Sequence, residues 1–569
     1  MTDKLQKKLT ETNHAESKDN RFSEQQLYFA FSFFHCTLNG RARIITAAVT
    51  LIDRASHYTK KQYAPRRTHW HSPLSKKQRT PGPNPTNHLA EFRCESENVL
   101  QNQWTGCTFS NLNSNKTTMR VTVSATTTIF PSRPAFAHNH VLSLSPLDTD
   151  PNLRVNFRYL RAYVSTNATQ SPSPDPFDVI ATALSSALLH YYPLAGTLRR
   201  HSHRLEVFCT HVQGVPLIRA TVDCELASVD YLDNPDETFV EQLVPDPDEN
   251  EGLNHPCILQ VTLFECGGFT LGASIHHSVC DGLGATQFFN AVAELARGAR
   301  TVSIEPVWDR ANLLAPRNLP RIETPIGEFL SLEHGDLPYS QKVGAVVREC
   351  FPVTDDQLEK FKSILFKQSG SRFTAFEALG AYIWRAKVKA SKIAGNEKVK
   401  FVYSTNIRKQ LKPPLPVGYW GNGCVPIYVT VTAEELREQP IWETAKKIQK
   451  SKININDEYV RSFVDFQEIH RGDGITAGKE VSAFTDWRHL GHSTVDFGWG
   501  GPVAVLPVSR FLLGSVEPCF FLPHSSAAAS EAGFKVSVTL RKTAMPAFRE
   551  EMKRFGDDHF GVVEQNSQH

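Results

Sequence analysis

Two histidines, an acid and a glycine stand close together in Ser274-Ile275-His276-His277-Ser278-Val279-Cys280-Asp281-Gly282. The residues before this stretch predict a strand and those after it a helix, so His277 falls at their junction. An imidazole bonded at one ring nitrogen keeps the other free to take a proton from a hydroxyl or an amine, which is the work of a general base. Asp281 either supplies that bond or pairs with an arginine and braces the loop, with Gly282 letting the chain turn sharply away. His276 should face the opposite side of the strand and be structural. Cys280 reads as an inert neighbour. Taken alone, the pattern also fits a histidine satisfied within a core.

Far downstream lies Asp496-Phe497-Gly498-Trp499-Gly500. Asp-Phe-Gly also occurs in protein kinases, but no Gly-rich loop precedes it, and His470-Arg471-Gly472-Asp473 is not a kinase catalytic loop. The sequence has no GxSxG nucleophile elbow, no HExxH pair and no Walker loop. Its 11 cysteines include no CxxC pair, which points to a reducing compartment and to no metal site. With 62 basic and 59 acidic side chains the net charge is +3, so no global field favours nucleic acid. The apolar patch Leu27 to Phe34 is too short for a membrane span. The triplets at Asn115 and Asn167 fit glycosylation by pattern only, with no secretory signal before them.

Several elements must position these residues. Residues 1–118 are basic and polar, with Arg54 to Ala90 free of acids, and read as a weakly ordered extra segment. From Met119 the pattern becomes that of a folded α/β protein. Arg120 to Phe130 predicts a strand, Asp178 to Tyr192 a helix ended by Pro193, and Cys257 to Cys266 with Phe269 to His277 an antiparallel pair. Leu283 to Arg297 predicts the helix behind the histidine. After an irregular, Pro-rich run from Ser303 to Leu337 come a helix (Phe373 to Ala390), strands (Val399 to Ser404, Cys424 to Val431, Phe534 to Leu540) and a closing helix (Pro546 to Phe555). Pro426 marks its strand as an edge. The expected division is 119–302, a crossover 303–345, and 346–569. The irregular order of strands and helices excludes a doubly wound nucleotide-binding sheet.

Together, His277-x-x-x-Asp281-Gly282 and Asp496-Phe497-Gly498-Trp499-Gly500 resemble the plant BAHD acyl-CoA-dependent acyltransferases. Tyr192-Pro193-Leu194-Ala195-Gly196, Phe376-Glu377 and Pro413 to Asn422 are similar to further family stretches, with Trp420 in place of a common phenylalanine. The resemblance implies an α/β fold of two chloramphenicol-acetyltransferase-like domains with mixed sheets and a solvent channel between them. It implies transfer of an acyl group from acyl-CoA, as co-substrate, to a small alcohol or amine in plant specialised metabolism, with no permanently bound cofactor. By the same resemblance His277 is the base, Asp281 pairs with Arg408, and Thr485 and Trp487 serve the oxyanion or orient the acyl group. Thr374 would touch the CoA side unless it only caps a helix, and Asp496, Phe497, Gly498, Trp499 and Gly500 would hold the packing, the glycines allowing close backbone approach. The enzyme is expected to act as a cytoplasmic monomer. A relative that binds a small molecule or protein without transferring anything is the alternative.

Overall fold

In the computed structural model, residues 119–555 are described apart from 137, 166–173, 202–203, 329, 333–338, 340–343, 472–474 and 528–531. The expectations for residues 1–118 and for the Asn167 triplet lie outside the described residues.

Two six-stranded sheets dominate. The first runs in the order Val121–Ile129, Val215–Val222, Cys257–Phe264, Phe269–His276, Asn156–Tyr163 and Ala504–Pro507. Its neighbours are antiparallel except Val215–Val222 with Cys257–Phe264, which is parallel. The second runs Val346–Thr354, Gly533–Arg541, Cys519–Pro523, Val481–Asp486, Lys398–Asn406 and Cys424–Thr432, again mixed. Ala504–Pro507 reaches back from the second half of the chain to close the edge of the first sheet. Cys424–Thr432 is an edge strand, as Pro426 requires.

The hairpin Cys257–Phe264/Phe269–His276 is buried on both faces, which suits its run of β-branched and apolar residues. Gly267 makes its turn at φ 75°. Behind it the helix Gly282–Ala296 buries Phe288, Phe289 and Val292 against the first sheet, and packs on the helix Pro176–Ala187. That second helix starts at Pro176 with Asp175 as its cap and stops at Ala187, short of the expected Tyr192. A separate 3-10 turn, Tyr192–Ala195, carries the chain round Pro193 into the next strand. Between the sheets the chain is mostly irregular, with a short helix Arg310–Leu313 whose arginine is fully buried and donates to the Val279 carbonyl.

Candidate active site

His277 follows the last residue of the buried strand Phe269–His276, and its backbone N–H donates to Val155 O. The side-chain amide of Asn422 fixes its ring. Asn422 Nδ2 donates to His277 O at 2.8 Å and to Asp148 Oδ1 at 2.9 Å, which leaves Oδ1 to face His277 Nδ1 at 3.2 Å. An oxygen there accepts, so Nδ1 carries the proton and Nε2 is the nitrogen with the free lone pair. Phe157 meets the ring edge-on at 5.8 Å. Burial pushes the imidazole pKa below its ordinary 6.5, against the opposing pull of its own backbone carbonyl, Asp281 and Asn422. His276 is buried and pushed down to about 3 by desolvation, as befits a structural residue.

Asp281 does not bond His277. Its oxygens accept from Arg408 at 2.8 and 2.9 Å, from the Gly284 amide as the N-cap of the helix Gly282–Ala296, and from the Gly423 amide. Burial alone would raise the carboxyl, but Arg408 and these amides hold it at about 2. Of the two uses open to Asp281, the geometry takes the brace. Gly282 departs from expectation. It has no left-handed φ, and a Cβ there would meet only Leu490 at 3.8 Å, so the turn does not depend on glycine.

A cavity of about 580 Å³ lies between the two sheets and is lined by Phe157, Tyr159, His277, Asn422, Thr485 and Trp487 among others. Thr485 lies in the strand Val481–Asp486, and Trp487 just beyond it; both face the same space as the histidine. Trp487 packs edge-on or tilted against Phe157, Tyr159, Phe520 and His492, which fixes its ring.

Thr374 is not in that lining. Its hydroxyl accepts from Glu377 N while Glu377 bonds back to Thr374 N, a capping box on the helix Ala375–Ala390. The cap meets one of the free donors at the helix end and uses the Thr374 hydroxyl as an acceptor. Asp496 to Gly500 also lie apart from the cavity lining. Asp496 folds its own loop by accepting from the amides of Gly498 and Gly500, while Phe497 and Trp499 insert into the first core against Tyr163 and Phe269. The two glycines are needed for φ values of 109° and 83°; nothing lies within 4 Å of a Cβ at either, so close approach is not their purpose.

The sequence reasoning missed Asn422 as a site residue, and Asp148 altogether. Asp148 is completely buried, tied to Ser145 and Arg310, and its only outward signal was an ordinary Leu-Asp-Thr-Asp run. Asn422 did stand inside a family-like stretch, and that was the signal available.

The Transferase family model matches residues 119–555. Spermidine coumaroyl-CoA acyltransferase of Arabidopsis thaliana is 33% identical over 74% of this chain and 94% of that protein. Taxadien-5-alpha-ol O-acetyltransferase of Taxus chinensis is 32% identical over 77% of this chain and 97% of that protein. Among solved structures, vinorine synthase has the same fold, with a TM-score of 0.60 at 20% identity, over 77% of this chain and 98% of that one.

Proposed function

The chain belongs to the Transferase family, as a BAHD acyl-CoA-dependent acyltransferase acting on an alcohol or amine, and we propose that His277 is its general base and a neutral alcohol its acceptor. The observation that carries the proposal is the Asn422 amide: by accepting from Nδ1 it presents Nε2 as the proton acceptor of a side chain that lines the cavity. As the acceptor oxygen attacks the thioester carbonyl, Nε2 takes its proton. The C–S bond of the tetrahedral intermediate then breaks, and the departing CoA thiolate receives that proton from the imidazolium. Thr485 Oγ and Trp487 Nε1 donate hydrogen bonds to the oxyanion or orient the acyl group, a role their residues' place in the cavity lining supports. Asp281 and Arg408 keep the loop that carries the histidine in place.

The choice of a neutral acceptor rests on the acids of the lining. Asp281 is held by Arg408 and Asp486 by Arg488, while Asp150 has no ion-pair partner among the described residues: Asn152 donates twice to its Oδ1, and burial raises its carboxyl toward the neutral form. Asp150 is therefore the lining carboxylate not already paired, and burial disfavours its anion, so a polyamine finds no ready counter-charge, and a buried ammonium without one is costly. In a donor-by-acceptor screen read as acceptor-dependent CoA release, kcat/KM for neutral alcohols should exceed that for spermidine by at least about tenfold. Spermidine as the equal or better acceptor would overturn the choice, and release with no pair would overturn the transfer step.

The eight described cysteines are all free, which fits a reducing, cytoplasmic setting. No described helix is long and apolar enough to cross a membrane.

A further inference from the structure

Arg161 is fully buried, yet among the described residues it has no carboxylate partner. Its NH2 donates to His492 Nδ1 at 3.3 Å, its Nε and NH1 have no hydrogen-bond partner among the described residues, and the guanidinium lies over the rings of Phe289 and Tyr159 at 4.5 and 5.1 Å. A guanidinium can only donate, so His492 Nδ1 accepts, and the neutral ring must carry its proton on Nε2. Thr286 Oγ lies 3.1 Å from the same Nδ1 and 2.9 Å from the Gly282 carbonyl; its one proton goes to either, so Arg161 and not Thr286 sets the tautomer. His492 Nε2 is itself buried without a hydrogen-bond partner among the described residues, and the residue lines the cavity beside Trp487, ring to ring at 4.7 Å. His492, a residue of the cavity wall, thus carries an oriented N–H donor that is enclosed and has no acceptor among the described residues.

The strand Asn156–Tyr163 measures how far this donor stands from the base. Phe157, Tyr159 and Arg161 share one face of it. Phe157 touches His277, whereas Tyr159 and Arg161 touch His492. Each step of two residues advances about 7 Å. A group bound by His492 is therefore not the atom that His277 deprotonates.

We propose that His492 is a specificity-determining residue whose Nε2–H binds an oxygen acceptor on a remote part of the substrate, and that Arg161 is the positioning residue that holds the ring in that tautomer. The ligand group is a carbonyl, ether or hydroxyl oxygen carried on the far end of the acyl chain or of the acceptor alcohol. The inference rests on the acyl-transfer reading of the same cavity.

Matched substrates test it on the whole enzyme. The donor arm compares 4-coumaroyl-CoA with cinnamoyl-CoA at a fixed alcohol; the acceptor arm compares 4-methoxybenzyl alcohol with benzyl alcohol at a fixed donor. Wild type should favour the oxygen-bearing member by about tenfold or more in kcat/KM in one arm, and that arm identifies the source. His492→Phe should abolish this preference, and His492→Gln, which keeps an N–H, should retain part of it. Parity in both arms for the wild type overturns the proposal without any variant, as does an undiminished preference in folded His492→Phe. Absence of CoA release with either member removes the acyl-transfer reading instead, so the two failures are distinguishable.

Discussion

Replacing His277 with alanine should lower acceptor-dependent CoA release by about 10³-fold or more while the protein melts as the wild type does. General-base catalysis contributes about 10²–10⁴-fold, and here the base sits where the acceptor must lose its proton. The fold should survive because what His277 gives the structure is mostly backbone. Its N–H bonds Val155 O, and its carbonyl accepts from Asn422 Nδ2; both persist in alanine. Only the Asn422 Oδ1 contact and the edge of Phe157 are lost, beside a cavity that water can enter. Turnover near the wild-type rate would remove His277 from the mechanism.

Asp281→Asn should instead cost stability, on the order of 3 kcal/mol, and activity only as folded protein is lost. Removing one partner of a buried ion pair costs about 3–5 kcal/mol, and asparagine keeps one oxygen for the amides, which argues for the lower end. The carboxylate is 5% exposed and serves Arg408, the helix Gly282–Ala296 and the Gly423 amide at once, so Arg408 would be left without its counter-charge. The readout is a fall in the denaturant midpoint at an unchanged slope. The pH dependence has the matching sign. The folded carboxyl lies at about 2 against an ordinary 3.8, so its contribution is complete above pH 3.8 and is lost as pH falls toward 2. A variant with the wild-type midpoint but no activity would mean that Asp281 acts on His277 directly.

The parts of this molecule legible in its sequence were those carried by local patterns. Strand periodicity located the hairpin that ends at His277, and a motif at fixed spacing located Asp281 and the loop of Asp496 to Gly500. The Asp281–Arg408 pair was legible only because the family resemblance supplied a partner 127 residues away. The helix after Pro176 was read too long, since apolar periodicity continues through Leu188 to Tyr191 while the chain has already left the helix. Thr374 was ambiguous because a cap and a ligand contact call for the same hydroxyl, and the structure shows the cap. The Asp148–Asn422–His277 chain and the Arg161–His492 pair join residues 145 to 331 positions apart through single buried polar atoms. No periodicity marks such residues, because what selects them is the unpaired polar group they satisfy in the folded interior.

The pH dependence of kcat/KM for the wild-type enzyme tests the role of His277 most directly, since that profile reports the free enzyme's base. The ring must be neutral to accept a proton, and burial moves its ionisation below 6.5, so the rate should hold level as pH drops through 6.5 and fall only at lower pH. An acid limb centred at or above 6.5, or one that persists in the residual activity of His277→Ala, would contradict the account.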